Sequence, residues 1–458
     1  MTERDLLRDE ARYCSFGDTV HYIDPPKIFS RCDGSYLYDA EDRPYLDLQM
    51  WYSACNFGYA NKRLNDALKR QIDTLPQLAC QYLHKEKIEL ATAIAQRVEK
   101  TWGMQGRVHF NVGGSQAVED SLKIVRNASG GKSLMFAFEG GYHGRTLGAS
   151  AITSSYRYRR RYGHFGDRAQ FVPFPYCFRC PYGKKKDDCG LYCVDQFARL
   201  FDTEYCGVWD PKMGVAEYAA FYVESIQGTG GYVIPPQGYF EKLKAILDQR
   251  KILLVDDEIQ MGFYRAGKFW SLENFNVKPD IIVFGKAVTN GLNPIAGLWA
   301  REELINPQIF PPGSTHSTFS SNPLGTAVAL EAVKMMEETD YEKMTFEKGA
   351  YLLEGLKDLK KRHKIVGDVD GLAMALRMEI CSASDSFTPD KAMTDRMVDE
   401  AMKADLEVDG KKYGLILDIG GYYKNVVTLA PSLEITYPEM DLAIKLLDQL
   451  LTRVTRHQ

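Results

Sequence analysis

The chain contains 458 residues, of which 45% are hydrophobic and 26% are charged, and its formal net charge at pH 7 is −4. This length can hold about two or three domains, and the composition is that of a soluble globular protein. The weakly acidic charge gives no reason to expect broad nucleic-acid binding. No apolar run approaches the ~20 residues that cross a membrane, and the charged N-terminus lacks a signal-peptide core. We therefore expect a cytoplasmic protein whose ten cysteines are mostly reduced.

The predicted elements begin as short strands and continue as an alternation of helices and strands. Residues 20–60 alternate apolar and polar side chains around the turn sequences Cys32–Ser35 and Asp39–Pro44, a pattern typical of strands. From about residue 85 to 330, helical stretches alternate with short apolar runs, which predicts an open, largely parallel sheet. The last third of the chain is predicted as helices around a few strands.

This pattern predicts a large α/β domain and a smaller α+β domain that is built from both ends of the chain. The expected boundaries are 1–75 for the N-terminal segment of the small domain, 76–330 for the large domain and 331–458 for the C-terminal part of the small domain. A cysteine-rich insertion at about 175–195 interrupts the large domain.

A glycine-rich turn precedes a predicted helix in the first half of the large domain. Residues Phe110–Asp120 read Phe-Asn-Val-Gly-Gly-Ser-Gln-Ala-Val-Glu-Asp, and apolar residues follow at helical spacing. Small residues let the backbone approach a phosphate, and a helix start offers free N–H groups and the positive end of the helix dipole. Gly-Gly-Ser alone usually marks only a turn, but its position before a helix favours a phosphate site.

A second glycine-rich segment, Gly141–Thr146, contains Tyr142, His143 and Arg145. A tyrosine beside glycines can lie flat over an aromatic ligand, and an arginine can bind a carboxylate through two parallel hydrogen bonds. The alternative interpretations are that the tyrosine packs over its own loop and that the arginine only braces it.

Two clusters follow between residues 156 and 193. The run Tyr156–Tyr162 mixes aromatic and basic residues, as single-strand nucleic-acid sites do, but a solvated helix face or a subunit contact is preferred in an acidic chain. Two close pairs of cysteines have a spacing that suits a tetrahedral zinc site. Four reduced thiols in a surface loop are the preferred interpretation, so no metal ligand is predicted. The cysteines are Cys177, Cys180, Cys189 and Cys193.

Charged residues follow three apolar runs in the middle of the chain: Glu224, Asp257 and Lys286. Ligands of open parallel sheets bind beyond the carboxyl ends of the strands, so these residues can meet in one crevice. A cofactor with an aldehyde at one end of a pyridine ring and a basic nitrogen at the other needs an amine and an acid in this arrangement. Pyridoxal 5'-phosphate (PLP) is such a cofactor.

The ordered motifs resemble those of class III PLP-dependent aminotransferases, the family of ω-amino acid, ornithine and 4-aminobutyrate enzymes. The resemblance runs from about residue 30 to about 440 and implies fold type I, with a mainly parallel sheet in the large domain and a smaller α+β domain. In family order the motifs are Asn111–Ala117, Tyr142–Arg145, Val223–Gly228, Asp257–Gly262, Gly285–Lys286 and His316–Pro323.

The resemblance also implies the catalytic residues. Lys286 would bind PLP as a Schiff base and shuttle the proton of the substrate. Asp257 would pair with the ring nitrogen and keep it protonated, because an opposite charge favours the charged form. Gln260 would reach the ring hydroxyl. The full predicted cofactor set is Gly114, Ser115, Tyr142, His143, Glu224, Asp257, Ile259, Gln260, Lys286 and Thr318.

Within this set, the resemblance gives Gly114 and Ser115 to the phosphate and Tyr142 and Ile259 to the two faces of the ring. Thr318 would reach the phosphate of the neighbouring subunit. That role implies a homodimer with shared active sites, with a tetramer as the alternative.

The residues expected to contact the substrate depart in part from the family pattern. Tyr52 aligns with a tyrosine that ornithine-type enzymes use at the substrate carboxylate, and Arg145 matches an arginine that binds the distal carboxylate. Many relatives also carry a glutamate–arginine pair, but here Thr229 and Thr428 stand at those positions. We expect a neutral pocket, which favours a pyruvate-like acceptor over 2-oxoglutarate, or an amine without an α-carboxylate.

The sequence therefore predicts a PLP-dependent aminotransferase that moves an amino group from an ω-amino acid or another primary amine to a keto acid by ping-pong chemistry. The alternative is a PLP-dependent amino-acid racemase or epimerase of the same family, since such enzymes use the same lysine and aspartate. A zinc-dependent binding module with a degenerate PLP site is a third hypothesis. The presence of Lys286, Asp257, Gln260 and Tyr142 argues against it.

Overall fold

The computed structural model of the protein describes residues 2–17, 23–163 and 169–456, so the first residues of the predicted strand region 20–60 lie outside it. The helices of the described residues are α1 (Glu3–Tyr13), α2 (Met50–Ser53), α3 (Lys62–Thr74), α4 (Lys85–Trp102), α5 (Gly114–Ala128), α6 (Leu147–Ile152), α7 (Tyr192–Ala198), α8 (Tyr239–Gln249), α9 (Glu302–Ile305), α10 (Pro323–Glu338), α11 (Tyr341–Arg362), α12 (Lys391–Ala401) and α13 (Tyr437–Thr455).

The strands of the same residues are β1 (Phe29–Asp33), β2 (Tyr36–Asp39), β3 (Pro44–Asp47), β4 (Gly106–Asn111), β5 (Leu134–Phe138), β6 (Gln170–Val172), β7 (Trp209–Asp210), β8 (Val215–Ala216), β9 (Tyr218–Val223), β10 (Leu253–Asp257), β11 (Ile281–Phe284), β12 (Ala296–Arg301), β13 (Val366–Leu372), β14 (Ala375–Ile380), β15 (Leu406–Val408), β16 (Lys411–Ile416), β17 (Asp418–Gly420) and β18 (Val426–Leu429).

A seven-stranded sheet forms the centre of the fold, in the order β4-β12-β11-β10-β9-β5-β6. Strands β6, β5, β9, β10 and β11 pair in parallel, whereas β12 pairs antiparallel with both of its neighbours. All four residues of β11 are buried, as expected for a strand that is covered on both faces. The predicted α/β class with a mainly parallel sheet is confirmed.

Helices cover both faces of this sheet because neighbouring residues of a strand point to opposite sides. Ala137 of β5 and Tyr222 of β9 pack with Val118 and Ile124 of α5 in one buried cluster. Phe136 and Phe221 of the same two strands pack with Leu243 and Leu247 of α8 in another. The sheet is therefore the middle layer of three, and loops surround the ends of its strands.

Both ends of the chain contribute to the smaller sheets. A five-stranded sheet has the order β1-β2-β3-β16-β15, so β3 from the N-terminal part lies beside β16 from the C-terminal part. A four-stranded sheet, β13-β14-β18-β17, is formed by the C-terminal part alone. Helix α13 begins at a capping box between Thr436 and Glu439, which satisfies two N–H groups at the helix start.

Within the described residues, no helix is both long enough and apolar enough to cross a membrane.

Candidate active site

Three neighbouring strands of the central sheet end at the site. Glu224 directly follows β9, Asp257 is the last residue of β10, and Lys286 comes two residues after β11. The three strands are parallel neighbours, so their carboxyl ends meet at the same edge of the sheet. The structure thus brings the three charged residues of the sequence pattern together.

Lys286 is held in an unusual conformation and environment. Its φ is 44°, in the left-handed region that a non-glycine residue rarely adopts and that is common at functional sites. Its Nζ donates a hydrogen bond to Oε1 of Gln260 at 3.1 Å. Burial lowers the pKa of Lys286 to about 8, although the charges of Asp257, Glu224 and Asp418 act in the opposite direction. The amine is therefore available in its neutral, nucleophilic form close to neutral pH.

Asp257 is oriented by two donors. Its Oδ2 lies 2.8 Å from Nδ1 of His143, and its Oδ1 accepts the backbone N–H of Ile259 at 3.2 Å. Both side chains are buried. Burial lowers the pKa of His143, but its hydrogen bond to Asp257 and the charges of Asp257 and Glu224 outweigh that effect and raise it. The imidazole therefore holds the carboxylate in one orientation.

Glu224 connects two loops rather than facing an open crevice. Its Oε1 accepts the backbone N–H of Tyr142 at 2.8 Å, and its Oε2 accepts that of Gly228 at 2.9 Å. Burial raises the pKa of this carboxyl to about 7. Glu224 thus fixes the loop that contains Tyr142 against the end of β9.

The start of α5 has the features of an anion site. Its N-cap is Gly113, and no side chain caps the helix, so N–H groups of the first turn point outward. A Cβ on Gly114 would lie 2.8 Å from Cδ1 of Ile259, which shows how closely the helix start approaches the end of β10. The Oγ of Ser115 accepts the backbone N–H of Arg145 at 3.2 Å. The helix start and the second glycine-rich segment therefore share one side of the site.

Tyr142 belongs to a wall of aromatic and guanidinium groups. Its ring packs edge-on against Tyr158, with centroids 5.2 Å apart. The guanidinium of Arg145 lies 4.6 Å from the Tyr158 ring centroid and 5.8 Å from that of Tyr142. Tyr158 belongs to the basic-aromatic run of the sequence, so one residue of that run packs against this wall. Arg145 is exposed and stacked over its own loop.

On the opposite side, the short element α2 is a left-handed turn. All four of its residues have positive φ, from 46° at Met50 to 63° at Ser53, although this region costs energy for every non-glycine residue. Tyr52 lies half-buried in this turn. Oγ of Ser53 lies 3.4 Å from Oη of Tyr232, which accepts a hydrogen bond from Nε2 of Gln260 at 3.0 Å. A series of hydrogen-bonded side chains thus connects the turn to Gln260, which holds Lys286.

The neutral pocket expected from Thr229 and Thr428 stays a prediction, but an acid lies beside Thr428 that these two positions did not signal. Oγ1 of Thr428 donates to Oδ2 of Asp418 at 2.6 Å, so a carboxylate stands beside the threonine that aligns with the family arginine. Thr229 faces the same strand, because its carbonyl accepts the N–H of Gly421 at 3.0 Å. Asp418 is the first residue of β17, two residues after β16, in the last third of the chain where no local pattern signalled a site.

Three residues of this crevice were missed by the sequence pattern: Tyr232, Asp418 and Gln49, which hydrogen-bonds to Asp418. Tyr232 directly follows the Gly228–Gly231 stretch, which is the only local signal that points to it. The other two lie far apart in the chain, and only the pairing of strands brings them together.

Thr318 lies in the segment between α9 and α10. It is exposed, beside Phe319 whose side chain is 70% exposed. The nearby Thr315 donates to Asp120 of α5 and accepts from Lys123. The segment around Thr318 therefore lies against the outer part of α5 and presents residues to the surface.

The four clustered cysteines line one small pocket together with Tyr176 and Tyr192. All four are half-buried free thiols. Burial raises the pKa of Cys177 and raises that of Cys193 to about 11, which disfavours the thiolate form that metals bind. Among the described residues, no group of three or more His, Cys, Asp or Glu side chains has the geometry to hold a metal ion.

The whole arrangement fits PLP. An uncapped helix start suits a phosphate, a half-buried tyrosine and an isoleucine stand where a flat ring can be covered, and a buried carboxylate suits a protonated ring nitrogen. A lysine with a lowered pKa suits an aldehyde. Each of these groups is present in one crevice of the described chain.

Comparison with known proteins agrees with this fit. Residues 20–451 match the family model described as Aminotransferase class-III. The chain is 30% identical to an alanine/serine racemase of Pyrococcus horikoshii, over 98% of this chain and 90% of that one. It is also 30% identical to a leucine/methionine racemase of Thermococcus litoralis, over 99% and 96% of the two chains.

Transaminases are similar to the chain as well. It is 29% identical to a 5-aminovalerate aminotransferase of Pseudomonas aeruginosa, over 91% of each chain. Among solved structures, an amine transaminase from an uncultivated Pseudomonas species in its PLP-bound form superposes with a TM-score of 0.85 at 26% identity, covering 96% of this chain and 99% of that one.

Proposed function

The chain belongs to the class III aminotransferases, which are PLP-dependent, and we propose that it moves the amino group of an ω-amino acid or another primary amine to a small keto acid. The observation that carries the proposal is the buried set around Lys286, with Gln260 on its Nζ at 3.1 Å and Asp257 fixed by His143 at 2.8 Å. Bound PLP supplies an electron sink for the carbanion that forms when the substrate loses a proton.

The residues of the chain have separate tasks in this proposal. Lys286 takes the proton from the substrate carbon and returns it, which its lowered pKa of about 8 supports. Asp257 would hold a positive charge at the ring nitrogen, and His143 fixes the direction of that carboxylate. Gln260 holds the lysine and would bind the ring hydroxyl. The N–H groups at Gly114 and Ser115 would bind the phosphate.

The acceptor in this proposal is pyruvate or a similar small keto acid. The carboxylate of Asp418 beside Thr428 supports this choice, because a dicarboxylic acceptor must find room for two negative groups in one crevice. A monocarboxylic acceptor needs one cationic or polar contact, and Tyr52 and Arg145 are the residues that we propose for it.

A donor–acceptor screen tests both parts of the proposal. We expect keto-acid formation from ω-amino acids or simple amines, faster with pyruvate than with 2-oxoglutarate. Rapid turnover with 2-oxoglutarate would contradict the acceptor assignment. No turnover with any amine and keto acid, in protein that holds PLP, would contradict the transaminase assignment.

A second candidate is an amino-acid racemase, which the similarity to two racemases over nearly the whole chain favours. The two activities differ in which carbon receives the returned proton, and the same lysine can serve both. Incubation with one enantiomer of alanine, without a keto acid, separates them. A racemase scrambles the stereochemistry and keeps its visible cofactor band, whereas a transaminase releases pyruvate and loses the band.

The functional unit in this proposal is a homodimer, in which Thr318 reaches the cofactor phosphate of the partner subunit. The exposure of Thr318 and Phe319 in the single chain supports it. Light scattering gives the mass in solution. Thr318→Ala should weaken PLP binding without a change of mass, and a fully active monomer would exclude a shared site.

A further inference from the structure

We propose that Asp120 is a positioning residue for the cofactor phosphate, because its carboxylate holds two separate segments of the chain at once. One is the turn between β4 and α5, which in the proposed function binds the phosphate of the same subunit. The other is segment 315–321, which contains Thr318. The inference rests on the shared site of the proposed homodimer and adds to it the residue that links the two phosphate contacts of one chain.

Asp120 is a buried acid of α5 whose two oxygens face different parts of the chain. Its Oδ2 accepts Nδ2 of Asn111 at 2.5 Å and lies 3.1 Å from Nε2 of His109, and both partners belong to β4. Its Oδ1 accepts the hydroxyl of Thr315 at 2.5 Å, and Lys123 donates to that hydroxyl at 3.1 Å. Burial raises the pKa of Asp120, but the hydrogen bonds of the three nearest side chains outweigh that effect and lower it. The ionised carboxylate is therefore a strong common acceptor for a strand and for a distant segment.

On the strand side, Asp120 fixes the residue that leads into the phosphate turn. Asn111 is the last residue of β4, and α5 begins three residues later at Gly114. The side chain of Asn111 is buried, and among the described residues its Oδ1 has no hydrogen-bond partner, so the bond to Asp120 sets the orientation of this amide. Donors that are already oriented bind a ligand more tightly than donors that must order themselves on binding. Asp120 therefore stabilises the turn in which the phosphate N–H groups lie.

Segment 315–321 is held at both of its ends. At one end, the hydroxyl of Thr315 donates to Asp120. At the other end, the carbonyl oxygen of Ser321 lies 2.9 Å from Nε2 of His84. Nδ1 of this buried imidazole accepts a backbone N–H at the start of α4 at 3.4 Å, so the ring proton is on Nε2 and is donated to Ser321. The segment is thus anchored to two helices of the large domain.

The centre of this segment is exposed although its ends are fixed. Thr318 is exposed, and the side chain of Phe319 is 70% exposed. The hydroxyl of Ser320 donates to the carbonyl of Ser317 at 2.8 Å, which closes a turn around these two residues. Ordering an exposed segment costs conformational entropy, and anchors within the chain remove that cost before the partner subunit binds. The chain therefore presents Thr318 in a preset position, and Asp120 ties that position to the phosphate turn.

The test measures the dissociation constant of PLP by equilibrium dialysis, which needs no amine substrate. Thr315→Val puts a methyl group in place of the hydroxyl that binds Asp120, so we expect the dissociation constant to rise about five- to fiftyfold. Thr315→Ser is the matched control, because it keeps the hydroxyl, and its dissociation constant should stay within about threefold of wild type. Equal losses in the two variants would show that packing of the methyl group matters instead of the hydrogen bond, and would overturn the proposal.

A double variant shows whether Thr315 acts through Thr318. Because both residues would act through one segment, Thr315→Val combined with Thr318→Ala should bind PLP no more weakly than Thr318→Ala alone. If the two losses multiplied, Thr315 would act independently of Thr318, and the link through the segment would be refuted.

Asp120→Asn tests the double role of the acid. The amide cannot accept from both partners as the carboxylate does, so this variant should bind PLP more weakly than Thr315→Val, since it also releases Asn111. An effect no larger than that of Thr315→Val would remove the strand side of the proposal. Wild-type protein that holds PLP but transfers no amino group would contradict only the transaminase function. A Thr318→Ala variant with wild-type PLP affinity would exclude the shared site and this proposal with it.

Discussion

The two sides of the crevice are built in different ways. The strand-edge group, which is Glu224, Asp257 and Lys286, follows three adjacent parallel strands and is assembled by sheet geometry alone. The C-terminal wall, which is Asp418 and Thr428, comes from an antiparallel pair in a different sheet. In the proposed function the first side carries the groups for reaction chemistry, whereas the second places an acid beside Thr428. The two sides thus come from different sheets, and substitutions on them should differ in kind.

The largest effect should come from the strand-edge group. Lys286→Ala removes the group that binds the aldehyde and moves the proton, so we expect kcat to fall by at least ~10²–10⁴-fold and the visible band of bound PLP to change. Absorbance spectra and single-turnover rates measure both. Lys62→Ala, at an exposed lysine paired with Asp66, is the control and should be unchanged. Normal turnover of Lys286→Ala would refute the assignment.

The second-largest effect should come from Asp257, the acid of the strand-edge group. Asp257→Asn removes the charge that favours a protonated ring nitrogen, which is an effect of about 1–3 pKa units. We therefore expect kcat to fall by roughly ten- to a thousandfold with little change in KM. Asp73→Asn, at an exposed helical position, serves as the control. If Asp257→Asn acted on KM alone, Asp257 would be a binding residue rather than an electrostatic one.

A smaller effect is expected where the strand-edge side meets the phosphate loop. A Cβ on Gly114 would lie 2.8 Å from Cδ1 of Ile259, whereas a Cβ on Gly113 would meet nothing within 4 Å. Overpacking costs about 1–3 kcal/mol, so Gly114→Ala should weaken PLP binding by about five- to 150-fold. Gly113→Ala is the matched control. Equilibrium dialysis measures both dissociation constants, and equal values for the two variants would show that the close approach has no role.

The smallest expected effect is a change in the pKa of Lys286, on which acids from both sides act. Only the neutral amine can bind the aldehyde, so covalent PLP uptake by the apoenzyme should accelerate as pH rises through the lysine pKa of about 8. Asp418 raises that pKa, so its removal in Asp418→Asn should move the midpoint to lower pH. Stopped-flow absorbance across a pH series measures the midpoint. A midpoint near the ordinary lysine value of about 10.4 would show that burial does not control this amine.

The parts of the site that sequence reasoning found share a physical basis. The apolar run before Lys286, Asp257 at the end of β10 and the glycines at the start of α5 are local signals, because the end of a buried strand or the start of a helix is marked by its own neighbours in the chain. The structure brings these residues to one sheet edge. Asp418 was not predicted, because the absence of charge at Thr229 and Thr428 says nothing about which other side chain lies beside them.

The sequence by itself determined the α/β class, the class III family and the set of residues at the strand ends, because each depends on patterns that span a few neighbouring residues. Only the tertiary structure decided which side chains lie beside Thr428 and Gln260. Asp418, Gln49 and Tyr232 are separated by up to hundreds of positions in the chain, and their approach depends on strand pairing and on a left-handed turn that no local pattern predicts. The charge at a given point of a crevice is the sum over all residues that fold toward it, so it cannot be obtained from one aligned position.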